Sequence, residues 1–270
     1  MKKVLGIALG AGILLTACGS NGSPAAKEES VKFGEMMNKG KQISYYVNNY
    51  YGEQTPTKDS EIRYIIKTDN GKVTSYNVGD DITLKDIKDK SDKEIIDLAK
   101  KEDKEFMDRR KEEEKNSIKD SLDNHKKSYN SVDESTQKEY DEYFKNADKM
   151  LKELDNYEYK EPKERDLKLK VVEDGTGNNT EEERFYVVSH DFGSKEPDEV
   201  YDDGSHTYLS YDIGDGTMKI YDQNYAVLSD SDNEDDDEKD FLITPVSDKT
   251  EFSKLDEPDS KYVEVVDEDE

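Results

Sequence analysis

The chain has no tryptophan, one cysteine, three histidines and six prolines in 270 residues. A lone cysteine excludes an intramolecular disulfide framework. A body of about 250 residues needs none, because it can bury a core of its own. Three histidines without a second thiol leave few ligands for the usual zinc sets. No G-x-S-x-G, no H-E-x-x-H and no phosphate-cradling glycine loop occurs, so the familiar signatures of hydrolases, zinc peptidases and nucleotide-binding enzymes are missing. Basic residues are scarce: 40 lysines and arginines stand against 67 acidic residues, a formal charge of −27. Nucleic-acid binding and docking on anionic lipid both depend on a surface of Lys and Arg, and this balance argues against each. No apolar run reaches the roughly 20 residues that a bilayer span requires.

The longest apolar run, Val4 to Leu15, follows Lys2 and Lys3 and closes on Leu15-Thr16-Ala17-Cys18. A basic start, a short apolar core and a small-residue cleavage site make an export signal, and Gly6, Gly10 and Gly12 weaken the run as a stable membrane span. The placement of the cysteine narrows this further. Leu-Thr-Ala-Cys resembles the bacterial lipobox, in which diacylglycerol alkylates the thiol and the chain is cut before it. Sulfur suits that step because it is the best nucleophile the chain offers. Residues 1–17 are therefore expected to be a lipoprotein signal peptide and Cys18 the lipidated residue. Residues 18–32, rich in Gly, Ser, Asn and Ala, are expected to form a flexible tether. Two acyl chains hold durably where one holds marginally, since each buried methylene contributes about 0.8 kcal/mol. The expected partner is the membrane, reached through covalent lipid on its extracytoplasmic face, with no nucleic acid and no cofactor.

Downstream, the patterning predicts an α+β protein in which antiparallel β-strands flank a long charged helical hairpin. Residues 33–84 read as an N-terminal β segment, 85–158 as the hairpin, and 159–270 as a C-terminal β region with an acidic tail. A short helix is expected over 31–38. Strands follow over 42–48, 61–68 and 72–78, the last two joined at Asp69-Asn70-Gly71, a strong tight-turn signal. Ser91-Asp92-Lys93-Glu94 matches a capping box and opens a helix that runs to about Lys127. Its stretch between Met107 and Ile118 is nearly all charge and is expected to lie in solvent, supported by Glu–Lys pairs. A second helix over 134–154 carries Tyr140, Tyr143, Phe144, Ala147, Met150, Leu151 and Leu154 on one face. Later strands are expected over 167–173, 184–190, 207–213, 218–221, 225–228, 241–246 and 262–266, with a hairpin turn at Gly214-Asp215-Gly216.

The stretch from Tyr64 to Phe106, YIIKTDNGKVTSYNVGDDITLKDIKDKSDKEIIDLAKKEDKEF, resembles a group of low-GC Gram-positive lipoproteins. In that group a β-hairpin and a lysine-rich helix likewise follow the lipobox. The resemblance covers the signal and about a quarter of the chain. It implies a lipid-anchored envelope protein, carries over Cys18 as the one functional residue, and supplies no catalytic assignment.

Three side-chain groups invite chemistry. The acidic run Asp230, Asp232, Glu234, Asp235, Asp236, Asp237 and Glu238 offers carboxylate oxygens to calcium. Asp235 and Phe241 stand where an EF-hand loop needs glycine and a bidentate Glu, so a solvated acidic loop is the favoured reading. His125, His190 and His206 are the only imidazoles; His190 and His206 fall near strand ends, where a histidine–carboxylate pair would suit acid–base work. Surface histidines without a metal or catalytic role are the expectation. Tyrosine is abundant, and an exposed set could recognise sugar or peptide. Tyrosine also suits half-buried strands, which is the reading preferred here. The expected function is that of a lipid-anchored binding or structural protein without catalysis. The alternatives are a solute-binding lipoprotein of a transporter and a surface protein that binds divalent cations weakly. A signal-peptide fragment ending at Ala17 with activity of its own is a further expectation to test.

Overall fold

The structure, a computed structural model, describes residues 22–50, 55–79, 81–191, 202–211, 213–229 and 238–267. It is an α+β fold built on three sheets and a helical hairpin. A one-turn helix at Pro24–Lys27 leads into β1 (Ser30–Lys32), α1 (Phe33–Asn38), β2 (Lys41–Tyr50), β3 (Glu61–Asp69) and β4 (Lys72–Asn77). Then come α2 (Leu84–Ile87), α3 (Asp92–Ser128) and α4 (Glu134–Asn156). The C-terminal part comprises β5 (Arg165–Asp166), β6 (Leu169–Glu173), β7 (Thr180–Asp191), β8 (Asp202–Tyr211) and β9 (Ile213–Ile220). It ends with β10 (Gln223–Ser229), β11 (Glu238–Val246), β12 (Phe252–Lys254) and β13 (Glu264–Val266).

The seven-stranded sheet runs β5-β4-β3-β2-β11-β10-β9, with every pairing antiparallel. Strands from either side of the helical hairpin thus share one sheet, joined where Tyr45 of β2 pairs with Ile243 of β11. The N- and C-terminal β regions are not separate units. Both faces of this sheet are covered, which is why its strands carry consecutive apolar residues instead of a clean alternation. On one face Tyr46, Tyr64, Ile66, Leu228 and Leu242 pack against the four-stranded sheet β13-β6-β7-β8 and against α1. Phe33 of α1 meets Phe185 of β7 edge to face there, with centroids 5.5 Å apart. On the other face Tyr45, Val47, Ile65, Tyr225 and Ile243 pack against α2 and the first turns of α3. A register shift between Tyr46 and Val47 of β2 lets Ile62 and Tyr64 of β3 enter opposite cores.

The Asp69-Asn70-Gly71 turn is a two-residue hairpin with positive φ at Asn70 (49°) and Gly71 (79°), as the strand twist requires. The capping box is present: the Ser91 amide donates to Glu94 Oε2 at 2.8 Å and the Glu94 amide donates back to Ser91 Oγ at 3.4 Å. Beyond the sheet, α3 continues beside α4 around a third core of Met107, Ile118, Leu122, Ala147, Met150 and Leu154. Its charged middle turns are laced by pairs such as Lys104–Asp108 at 2.7 Å and Arg110–Glu113 at 3.1 Å.

Three expectations need correction. Gly214-Asp215-Gly216 is not a hairpin turn but lies inside β9; the turn falls at Tyr221-Asp222, where Tyr221 adopts φ 53°. Gly214 is needed for close approach, because a Cβ there would lie 2.5 Å from the Ser253 carbonyl oxygen of β12. Of the expected short helix over 31–38, Val31 and Lys32 lie in β1, which pairs in parallel with β12, and the remaining six residues form α1. The tether expected over 18–32 does not hold over its described part, since from Gly22 the chain is part of the fold. Gly22 bridges to Lys41, the Ser23 hydroxyl donates to the Lys39 carbonyl, and Ala25 and Ala26 are buried in the first core. Small residues that read as flexible are small here because they pack.

Candidate functional site

A cleft of about 710 Å³ opens on the α2–α3 side of the seven-stranded sheet. Alternate positions of β2 place Lys41, Ile43 and Tyr45 along it, since side chains of a strand repeat every second residue. Ile220 at the end of β9 and Tyr225 of β10 extend the apolar floor, and Leu84, Ile87, Ile95 and Ile96 of α2 and α3 form one wall. Gly22, Ser23 and Ala26 form the opposite wall with Pro245, Val246 and Ser247. The floor amides are committed elsewhere: Gln42 Nε2 donates to the Pro245 carbonyl and Gln223 Nε2 to the Val246 carbonyl, both at 3.1 Å. The floor therefore presents mainly hydrocarbon and aromatic surface.

The rim is of opposite character to the molecule as a whole. Seven lysines line the cleft (27, 41, 67, 88, 90, 93 and 100), against four aspartates (89, 92, 97 and 222). Three of those lysines are paired: Lys41 with Asp69 at 3.7 Å, Lys93 with Asp97, and Lys100 with Glu161 at 2.6 Å. Lys88 Nζ stands 4.3 Å from the Tyr221 ring centroid, a cation–π contact at the mouth. Among the described residues Lys27, Lys67, Lys88 and Lys90 make no ion pair within 4 Å, and they share the lining with Asp89, Asp92 and Asp222. A protein of net charge −27 thus carries a lysine-rich mouth over an apolar floor.

The chain matches no family model, no curated protein and no solved structure.

Of the residues singled out from sequence, Cys18 and the acidic run from Asp230 to Asp237 lie outside the described residues. Glu238 opens β11 opposite Tyr50. His190 lies in β7 beside a register shift and His206 in β8 opposite Val188, at one end of the four-stranded sheet. His125 lies on α3 among the rings of Tyr140 (4.4 Å) and Tyr143 (4.6 Å), with Nδ1 3.4 Å from Ser121 Oγ, so it belongs to the packing of the hairpin. Tyr45, Tyr46, Tyr64, Tyr76, Tyr211 and Tyr225 are buried, in keeping with tyrosine as a strand residue. Among the described residues no three His, Cys, Asp or Glu side chains converge as a metal site, and no helix is long and apolar enough to cross a membrane.

Two groups of buried acids had no sequence signal. Asp103 of α3 is 3% exposed; its Oδ1 accepts the Asn77 amide at 2.8 Å and its Oδ2 accepts the Tyr159 hydroxyl at 2.6 Å. Burial pushes this carboxyl up to about 6 although both hydrogen bonds pull it down. Glu183 of β7 and Asp256 are each 1% exposed, and the Asp256 amide donates to Glu183 Oε2 at 2.8 Å. Burial raises both carboxyls, and Asp256 raises Glu183 further by its negative charge. The Gly34 amide donates to Asp256 Oδ2, so this pair ties α1 and the C-terminal segment to β7. All three acids lie away from the cleft and read as structural ties. The cleft residues themselves were legible only as strand and helix positions, because a lysine two residues from an isoleucine looks the same on any half-exposed strand.

Proposed function

We propose that this protein is a lipid-anchored lipoprotein of the cell envelope, held through Cys18 at the extracytoplasmic face of the membrane, and that it acts by binding and not by catalysis. The anchor rests on the basic start, the apolar run and Leu15-Thr16-Ala17-Cys18. The binding role rests on one observation, the 710 Å³ cleft with an apolar floor and a lysine rim. Clefts of this size with a few polar groups around an apolar lining are the usual form of small-molecule sites. Its lining offers ammonium, carboxylate and apolar groups but no histidine. The all-antiparallel seven-stranded sheet gives no support to the alternative of a two-lobed transporter receptor built on parallel strands.

The anchor is tested by fractionating cells that express wild type or Cys18→Ala and labelling them with radioactive palmitate. Wild type should carry label and sediment with membranes, while the variant should carry none and leave the membrane fraction. An unlabelled wild-type protein, or an unlabelled variant that stays quantitatively on membranes as the mature form, would overturn the reading.

A further inference from the structure

We infer that the cleft takes a single-chain anionic amphiphile, with the alkyl chain on the Ile43–Tyr45–Tyr225 floor and the anionic head among the lysines of the rim. The two halves of the lining point to the two halves of the ligand. Ile43 and Ile96 are only partly buried against the second core, so that core ends in accessible hydrocarbon. A purely polar solute would strip water from that surface without replacing it by apolar contact, whereas an alkyl chain covers it and gains the hydrophobic term. The head is specified by charge. Lys27, Lys67, Lys88 and Lys90 come from three places in the chain: the one-turn helix, β3, and the short connector between α2 and α3. The fold concentrates them around one opening although lysine and arginine are outnumbered 40 to 67 overall. An ammonium group is a compact point charge suited equally to carboxylate and phosphate, so the rim selects for anionic charge without fixing which of the two bears it.

Position supplies the source of such a ligand. Gly22 is both the first described residue and part of the cleft wall. Four peptide units separate it from Cys18, a reach of at most about 14 Å. With lipid on Cys18, the cleft wall at Gly22 stays within about that distance of the lipid attachment, close to a surface where single-chain anionic amphiphiles partition. The ligand class rests on the binding reading above, but the lining is the same whether or not Cys18 carries lipid.

The test uses the full chain with Cys18→Ala, which removes the protein's own acyl chains from competition. Displacement of a fluorescent fatty acid is read with four competitors: oleate, lysophosphatidylglycerol, zwitterionic lysophosphatidylcholine, and octanoate. Oleate or lysophosphatidylglycerol, or both, should displace the probe saturably, and whichever binds identifies the head group as carboxylate or phosphate. Lysophosphatidylcholine and octanoate should bind at least tenfold more weakly, lacking net charge and chain length respectively. Lys67→Glu combined with Lys88→Glu, at a half-buried strand position and an exposed one, should weaken the anionic ligands tenfold or more, with the thermal midpoint measured alongside to show that the fold is retained. Ile43→Glu should weaken them through the floor. No displacement by either anionic ligand, equal binding of the zwitterion, or full affinity in the double lysine variant would each overturn the inference. None of these results bears on the palmitate-labelling test of the anchor, so the two readings fail separately.

Discussion

Asp103→Asn should make the protein more stable at neutral pH, and by an amount that depends on pH. Asp103 is buried where α3 leaves the sheet, between the Asn77 amide at the end of β4 and the Tyr159 hydroxyl after α4. Burial moves its carboxyl from an ordinary 3.8 to about 6 in the folded protein. A carboxyl raised on folding means that the folded state holds its proton more tightly than the unfolded state does. Its contribution is therefore fully present below pH 3.8, falls as pH rises, and is lost above about 6. At 1.36 kcal/mol per pH unit, the loss across that window is about 3 kcal/mol. Asparagine keeps an oxygen for the Asn77 amide, turns its own amide toward the Tyr159 oxygen, and never ionises. The stability of the variant minus that of wild type should thus rise by about 3 kcal/mol between pH 3.5 and 7.5. For a chain of this size that is roughly 6–12 °C in thermal midpoint. Taking the difference between the two proteins cancels the titration of Glu183 and Asp256, which both retain. Thermal and urea melts at the two pH values check it. A difference that does not change with pH, or one that falls toward pH 7.5, refutes the account of Asp103 as a buried acid strained by its own charge.

Glu183→Gln should flatten the pH dependence of stability further. Burial and the neighbouring Asp256 raise the Glu183 carboxyl, so stability is lost as pH rises through its raised value, and glutamine has no proton to lose; urea midpoints across pH 5 to 9 read this. Gly34→Ala should destabilise by about 1–3 kcal/mol, because the added Cβ would stand 2.8 Å from Asp256 Oδ2 and 2.9 Å from Leu169 Cδ1 in a filled core. A thermal midpoint equal to wild type would show that the α1 contact has room to yield. Leu154→Ala, at a fully buried position of the third core, should cost about 2–5 kcal/mol. Because that core belongs to the hairpin alone, hydrogen exchange should speed up along α4 while the amides of β2, β3 and β11 keep their protection.

What could be read from sequence was local in origin. The Asn70-Gly71 turn follows from backbone sterics at two residues, and the start of α3 follows from Ser91 and Glu94 satisfying each other's amides. The apolar face of α4 follows from helical spacing. Where local signals misled, tertiary contact had overridden them. Gly214 marks a close approach by β12, not a turn, and the small residues from Gly22 to Ala26 pack into the sandwich instead of trailing as a tether.

By itself, the sequence determined the class of fold, the helical hairpin and its caps, the β3–β4 hairpin, and the expectation of lipid at Cys18, because each depends on neighbouring residues. Only the tertiary structure decided the rest. It joined β2 to β11, bringing Ser44 within 2.7 Å of Thr244 across 200 residues of chain. It buried Asp103 between the Asn77 amide and the Tyr159 hydroxyl, and it paired Glu183 with Asp256. It also gathered scattered lysines of an acidic chain around one apolar cleft. Net charge is a sum over the whole molecule, whereas a ligand meets only the charges that folding brings to one place, and no spacing along the chain encodes that.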